Sequence, residues 1–332
     1  MNLADLWFII IAVFWTGFFV LEGFDFGVGA LHSFVGRTET ERRIAINTIG
    51  PFWDGNEVWL IVGAAAIFAA FPAWYATWIS ASYLAVVLLL VALIVRGISF
   101  EWRGHGRGDG WRWGWSLCLT VGSVVAPTVL GLALGDLIAG LPIDSGGNFT
   151  GTFWSLFTGF GVWTGLTALV LCLVQGSTFL ALRTTDVVRG RARAFGHVSS
   201  FVALGMVAVF GVWMALVAHP GPGAYVVLAL ALLAVVASLV AQFRARDGLA
   251  FGASSIATGL VVASLFVSLY PRVLVSSTNA SYSLTVAGSA SGTYALSVMS
   301  IVAAVCFPIV LIYQGYTYVV FRRRVVGPPA SD

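Results

Sequence analysis

Four carboxylic acids stand in segments that read as membrane helices. Glu22 and Asp25 lie three residues apart in LEGFDFGVGAL (21–31), and Asp54 and Glu57 repeat that spacing in GPFWDGNEVWL (50–60). On a helix, residues three apart share a side. A carboxylate buried in a membrane costs on the order of a few kcal/mol, so these acids need partners. Two pairs brought together in low dielectric can share protons, which is the chemistry of a proton-uptake path. The same residues admit a structural reading. Asp54 can cap the start of its helix and face its dipole, and Glu22 or Asp25 can pair with Arg96 or a loop arginine. The residues alone leave both readings open.

The glycines beside the first pair bear on how it is held. Gly23 and Gly27 form a GxxxG pair, and Gly29 projects between the directions of Glu22 and Asp25 one turn further on. Small residues at this spacing let a second helix approach closely. Acids and glycines are thus expected on the protein-facing side, with Trp15 and Phe18 above the acids. Val13, Val20, Phe24 and Leu31 fall opposite and are expected toward lipid. Glu22 is about 24 Å along its helix, which puts it in the inner third of a hydrocarbon core about 30 Å thick.

The elements that must carry these residues follow from composition. The chain has 332 residues, 59% hydrophobic and 9% charged, with mean hydropathy +0.95. That is an all-α, polytopic membrane protein. Spanning runs fall at 6–31, 53–72, 76–99, 113–138, 157–182, 195–218, 223–243, 250–270 and 294–320, so about nine helices are expected. Asp54, Asn56 and Glu57 make the second run the least apolar at its start. A faint echo, WTG at 15–17 and again at 163–165, suggests two four-helix bundles and a ninth, peripheral helix. The expected division is 1–140 for a first bundle with the acids, 150–270 for a second, 271–293 for an outer loop, 294–320 for the ninth helix and 321–332 for a tail, all in one membrane domain. Val170 and Leu173 occupy the places in the second copy that Glu22 and Asp25 hold in the first.

All 17 basic residues are Arg, which excludes a lysine nucleophile or Schiff base. Every one except Arg272 lies at alternate ends of the spans, after the first, third, fifth, seventh and ninth. The positive-inside rule then places the N-terminus outside and the C-terminus in the cytoplasm. The N-terminus lacks a basic region and a small-residue cleavage site, so the first helix is expected to remain. Cys118, Cys172 and Cys306 form no close pair and read as reduced packing residues. His32, His105, His197 and His219 lie near span ends at spacings that share no metal, and no metal or cofactor ligand is assigned. Trp74, Tyr75, Trp78 and Trp111 read as interfacial anchors, Met206, Met214 and Met299 as packing, and Gln175, Ser177 and Thr178 as interhelical hydrogen-bonding groups. No nucleic-acid partner is expected.

The stretches EGFDFGVGAL, GRTETERRIAINTIGPFWDGNEVWLI, FAAFPAWYA, VSSTNASYSLT and VAAVCFPIVLIYQGY, in this order and over nearly the whole chain, resemble subunit II of cytochrome bd-type quinol oxidases. The resemblance implies a haem-free subunit of a terminal oxidase of aerobic respiration, which oxidises quinol (menaquinol or ubiquinol) and reduces dioxygen to water. It implies a bacterial inner-membrane heterodimer with a similarly folded subunit I that holds two b-type haems and one d-type haem, with bound lipids and in some cases a small single-helix subunit. The chain alone would be inactive. It further implies a cytoplasmic proton path in which the family's acids match Glu22 and Asp54. Many relatives have Asp at the position of Glu22 and Gln at that of Glu57, so hydrogen bonding suffices at the latter. A purely structural subunit and a stand-alone secondary transporter are the alternatives; a transporter would need its site at the midplane between repeated halves.

Overall fold

The computed structural model describes residues 2–106 and 108–325; Arg107 and the part of the expected tail beyond 325 lie outside them. The first apolar run forms two helices, α1 (Leu3–Leu21) and α2 (Gly23–Val35), separated by a turn at Glu22. A short α3 (Glu39–Asn47) follows, opened by a capping box of Thr38 and Glu41. Next come α4 (Trp53–Ala70), α5 (Pro72–Ala81), α6 (Tyr83–Trp102) and α7 (Asp109–Ala139). The second half holds α8 (Gly159–Arg183), α9 (Asp186–Ala218), α10 (Pro222–Phe243) and α11 (Asp247–Leu269). A two-stranded antiparallel ribbon, β1 (Arg272–Leu274) with β2 (Leu284–Thr285), and a single turn, α12 (Val286–Ser289), lead into α13 (Thr293–Val320).

Among the described residues, eight helical segments are long and apolar enough to cross a membrane, with Leu3–Val35 taken as one. The other expected span, α4, is an 18-residue helix whose polar first turn lowers its apolarity. The run expected over 76–99 is divided. Pro72 opens α5 at its first turn, where its missing N–H costs nothing, and Ser82 separates α5 from α6. One face of α5, with Trp74, Thr77, Trp78 and Ala81, turns into the fold. Trp74 is fully buried and Trp78 nearly so; their rings stack at 6.0 Å, and Trp78 meets Trp15 at 5.6 Å. Both are therefore core residues rather than the interfacial anchors expected, whereas Trp111 is exposed.

Successive helices pack as neighbours from α8 to α11, and α2 lies against both α7 and α8. The segment 271–293 folds back on the ends of the helices, where Ser291 N–H donates to the Ala70 carbonyl at 2.8 Å and Leu141 N–H to that of Val275 at 3.0 Å. α13 is the outlier, with only Leu296 buried. It is tied in by the Trp7 indole, which donates to the Leu296 carbonyl and Ser300, and by polar groups near its far end described below.

Every residue of α2 from Gly23 to His32 is buried. Phe24 and Leu31, expected to face lipid, instead pack in a second core cluster with Phe52 and Phe179. Phe24 and Phe179 have ring centroids 4.2 Å apart. Val13 is exposed as expected. The glycines of α2 make this burial possible. A methyl on Gly27 would sit 2.8 Å from the Gly176 Cα of α8, and one on Gly29 would sit 2.9 Å from the Ser123 Cβ of α7. Gly23 faces the Gln175 and Cys172 side chains. Gly27→Val should therefore force α2 and α8 apart at a cost of about 1–3 kcal/mol or more. A fall in thermal stability and in the yield of folded protein from detergent, absent in the exposed control Val13→Ala, is the expected measurement.

Candidate functional site

The turn at Glu22 is where the site begins. Leu21 ends α1 with its carbonyl accepting from the Asn56 side-chain amide at 2.9 Å. In a membrane a backbone group freed at such a break must find an internal partner, and the first turns of α4 supply it. The same Asn56 amide donates to Asp25 Oδ2 at 2.6 Å. Glu22, Asp25 and Asn56 are all fully buried.

Arg96 of α6 completes the cluster. It too is fully buried. Its Nη2 lies 2.7 Å from Glu22 Oε1 and its Nη1 3.4 Å from Glu57 Oε2. Its Nε donates to Ser123 Oγ of α7 at 3.3 Å, and the guanidinium lies over the Phe26 ring at 4.7 Å and the Phe100 ring at 5.4 Å. Gly122 admits this side chain, since a methyl there would come within 2.7 Å of the Arg96 Cβ. One cation thus contacts two carboxyl groups, Glu22 and Glu57, and Asp25 lies beside Glu22.

Of the four acids singled out by sequence, the structure gathers Glu22, Asp25 and Glu57. Glu57 retains 19% side-chain exposure, while Asp54 is exposed and stands outside the cluster. Asp54 and Glu57 lie at the polar end of an otherwise apolar groove of about 750 Å³ between α4 and α6, lined by Trp53, Leu93 and Ile94 among others. The cluster therefore communicates with the surface on the α4–α6 side, with Asp54 outermost and Glu22 and Asp25 innermost.

Several participants escaped the sequence reading. Arg96 entered it only as one possible partner, and Asn56 only as a polar residue of its helix. On α13, Gln314 Nε2 donates to Asn56 Oδ1 at 2.5 Å, and the Tyr318 hydroxyl donates to the same oxygen at 3.2 Å. Asp136, near the opposite end of α7, is a further buried acid, and its Oδ1 accepts from the Thr158 hydroxyl at the start of α8 at 2.6 Å. A lone acid in an apolar run, as in LALGDLIAGL, was the available signal. Thr178 does bond between helices, to Ser254 at 3.1 Å, whereas the Ser177 hydroxyl turns to the Val174 carbonyl of its own helix and the Gln175 amide has no hydrogen-bond partner among the described residues.

Around the cluster runs an arginine-rich rim. Arg103 pairs with Glu39 at 2.7 Å, and Arg189 and Arg193 clasp Asp247 at the start of α11. Arg191 joins α9 to the segment after α2, donating to the Val35 carbonyl at 3.0 Å and to Glu41 at 2.8 Å. Burial pushes the Glu41 carboxyl up, but the Thr38 and Arg37 N–H donors and the Arg191 guanidinium outweigh it and hold it below its ordinary value. A depressed folded-state value gives stability that is present above the unfolded value and lost as pH falls through the folded one. Residues 36–41 should thus lose hydrogen-exchange protection, relative to intrinsic rates, below about pH 4. Glu41→Gln should abolish that pH dependence.

A family model described as cytochrome bd terminal oxidase subunit II matches residues 3–321. The chain is 42% identical over 337 residues to cytochrome bd ubiquinol oxidase subunit 2 of Bacillus subtilis (strain 168), covering 98% of this chain and 97% of the relative. It is 35% identical over 353 residues to cytochrome bd-I ubiquinol oxidase subunit 2 of Escherichia coli (strain K12), covering 95% and 93%. A chain of the solved bd oxidase from Geobacillus thermodenitrificans shares the fold, with a TM-score of 0.74 over 97% of this chain and 98% of that one at 18% identity. With match and fold both running the length of the molecule, the chain belongs to the cytochrome bd terminal oxidase subunit II family.

Proposed function

We propose that this chain is the haem-free subunit II of a bd-type quinol oxidase, where it supports subunit I and carries part of a proton-entry route through Asp54, Glu57, Glu22 and Asp25. Family membership makes it a multi-pass protein of the bacterial inner membrane and a subunit of a terminal oxidase. In this reading the arginine-rich rim faces the cytoplasm, and the haems of subunit I supply the oxidation of quinol and the reduction of dioxygen.

The observation that carries the proton route is the excess of acid in the cluster. A single buried guanidinium compensates one carboxylate, and further buried negative charge is costly, so the three carboxyl groups of a cluster with one arginine hold protons between them. Exposed Asp54 gathers protons at the groove. Part-exposed Glu57 contacts Arg96, and Arg96 contacts Glu22, so a proton arriving at Glu57 weakens that contact and alters the field at Glu22. The buried 2.7 Å Arg96–Glu22 pair also favours a structural role, in which the acids hold helices together. Glu22→Gln and Asp54→Asn in the assembled oxidase separate the two. Slowed quinol oxidation at wild-type haem content supports the route; loss of haem and of assembly supports the structural role alone.

A further inference from the structure

Asn56 makes four hydrogen bonds, and their polarity can be read without ambiguity. The Leu21 carbonyl can only accept, so the atom 2.9 Å from it is the amide nitrogen. That nitrogen's other hydrogen points to Asp25 Oδ2 at 2.6 Å. The amide oxygen then receives Gln314 Nε2 at 2.5 Å and the Tyr318 hydroxyl at 3.2 Å, both from α13. Donors and acceptors are all used, and the side chain has one orientation.

We infer that Asn56, held by Gln314 and Tyr318 of the mostly exposed α13, is a positioning residue that keeps Asp25 Oδ2 an acceptor and so favours Oδ1 as the proton site of this carboxyl, which lies against Glu22. An oxygen that accepts an N–H at 2.6 Å has one lone pair engaged and its negative charge stabilised, which makes the other oxygen of the carboxyl the better proton site. The Asp25 carboxyl lies against that of Glu22, and Oδ1 is the oxygen that Asn56 leaves free. The proton is thus directed to the Glu22–Asp25 contact and away from α13. The amide is a poor proton carrier, so Asn56 closes the route on that side. The titratable and charged groups facing Asp25 are Glu22, Glu57 of α4, Arg96 of α6 and Tyr318 of α13, with Cys172 of α8 beside Glu22. This inference rests on the proton-route reading and assigns α13 a part in it.

The test is the double variant Gln314→Leu with Tyr318→Phe, which removes both donors that orient Asn56 and leaves all four acids in place. It is made in the assembled oxidase at wild-type haem content. In redox-induced infrared difference spectra, the carboxyl band that disappears in Asp25→Asn should shift and broaden, and proton uptake should slow roughly 2- to 10-fold, the effect of losing hydrogen bonds of ordinary strength. If the double variant does not assemble, Tyr318→Phe alone serves, with the same direction of change. A wild-type Asp25 band overturns the inference. So does a displaced band with wild-type uptake; in that case slowed uptake in Glu22→Gln shows that the route stands without help from α13. Wild-type uptake in Glu22→Gln itself removes the route and is read independently of the Asp25 band.

Discussion

Arg96→Met will destabilise the folded chain by about 3–5 kcal/mol, and adding Glu22→Gln will restore a large part of that loss. Met fills much of the volume of the arginine stem, so packing against Phe26 and Phe100 changes little. What changes is charge. Glu22 is fully buried, and Arg96 is the cation it contacts, at 2.7 Å. Without the guanidinium the cluster keeps three acids and no compensating cation, whereas neutralising Glu22 in the same chain removes one of the two that are fully buried. The measurements are the yield of assembled oxidase and its thermal midpoint for both single variants and the double. Restoration in the double variant is the signature of an electrostatic pair. Equal loss in Arg96→Met and in the double variant would show that Arg96 acts through its shape.

Glu22→Gln by itself is expected to slow turnover on the order of 10²-fold, at the low end of what a positioned proton-transfer group contributes, with haem content retained. Asp54→Asn should slow it only a few-fold, roughly the effect of an exposed charge on local proton concentration. The difference follows from position. Glu22 is fully buried and makes the shortest carboxyl contact to Arg96, at 2.7 Å, while Asp54 is exposed at the groove and water can stand in for it. Gln preserves the size of Glu22 and can hydrogen-bond Arg96, but it does not accept and release a proton. Turnover measured with both variants side by side reads this ordering. A larger loss in Asp54→Asn than in Glu22→Gln would reverse the assigned order of the groups.

The acid spacing, the glycine contacts and nearly all the helix positions were legible in the sequence, because each depends on residues near one another in the chain. Gly27 and Gly29 lie at the close helix contacts expected of them, and Arg96 was among the partners considered for Glu22. The lipid-facing side of the first helix was legible only at Val13. Phe24 and Leu31 suit a protein core as well as they suit lipid, so residue type cannot separate the two environments for an apolar helix. Trp74 was misplaced for a related reason. An amphipathic ring near a span end matches an interfacial anchor, and its burial follows from its place on the inward face of α5. Asn56 was hidden because its partners Leu21, Asp25, Gln314 and Tyr318 come from both ends of the chain. The separation of Asp54 from the other three acids could not be read either. A spacing of three gives a shared side of a helix, and only the placement of α6 beside α4 decides which acid of the pair meets Arg96.

The most direct measurement is single-turnover proton uptake from the arginine-rich side, followed with a pH-sensitive dye in assembled oxidase carrying Glu22→Gln and the full complement of haem. Uptake slowed together with dioxygen reduction is the result expected of a buried carboxyl on the entry route. Uptake at the wild-type rate, in protein whose haem content is intact, would contradict a proton route through this cluster and leave Glu22 and Arg96 as a structural pair.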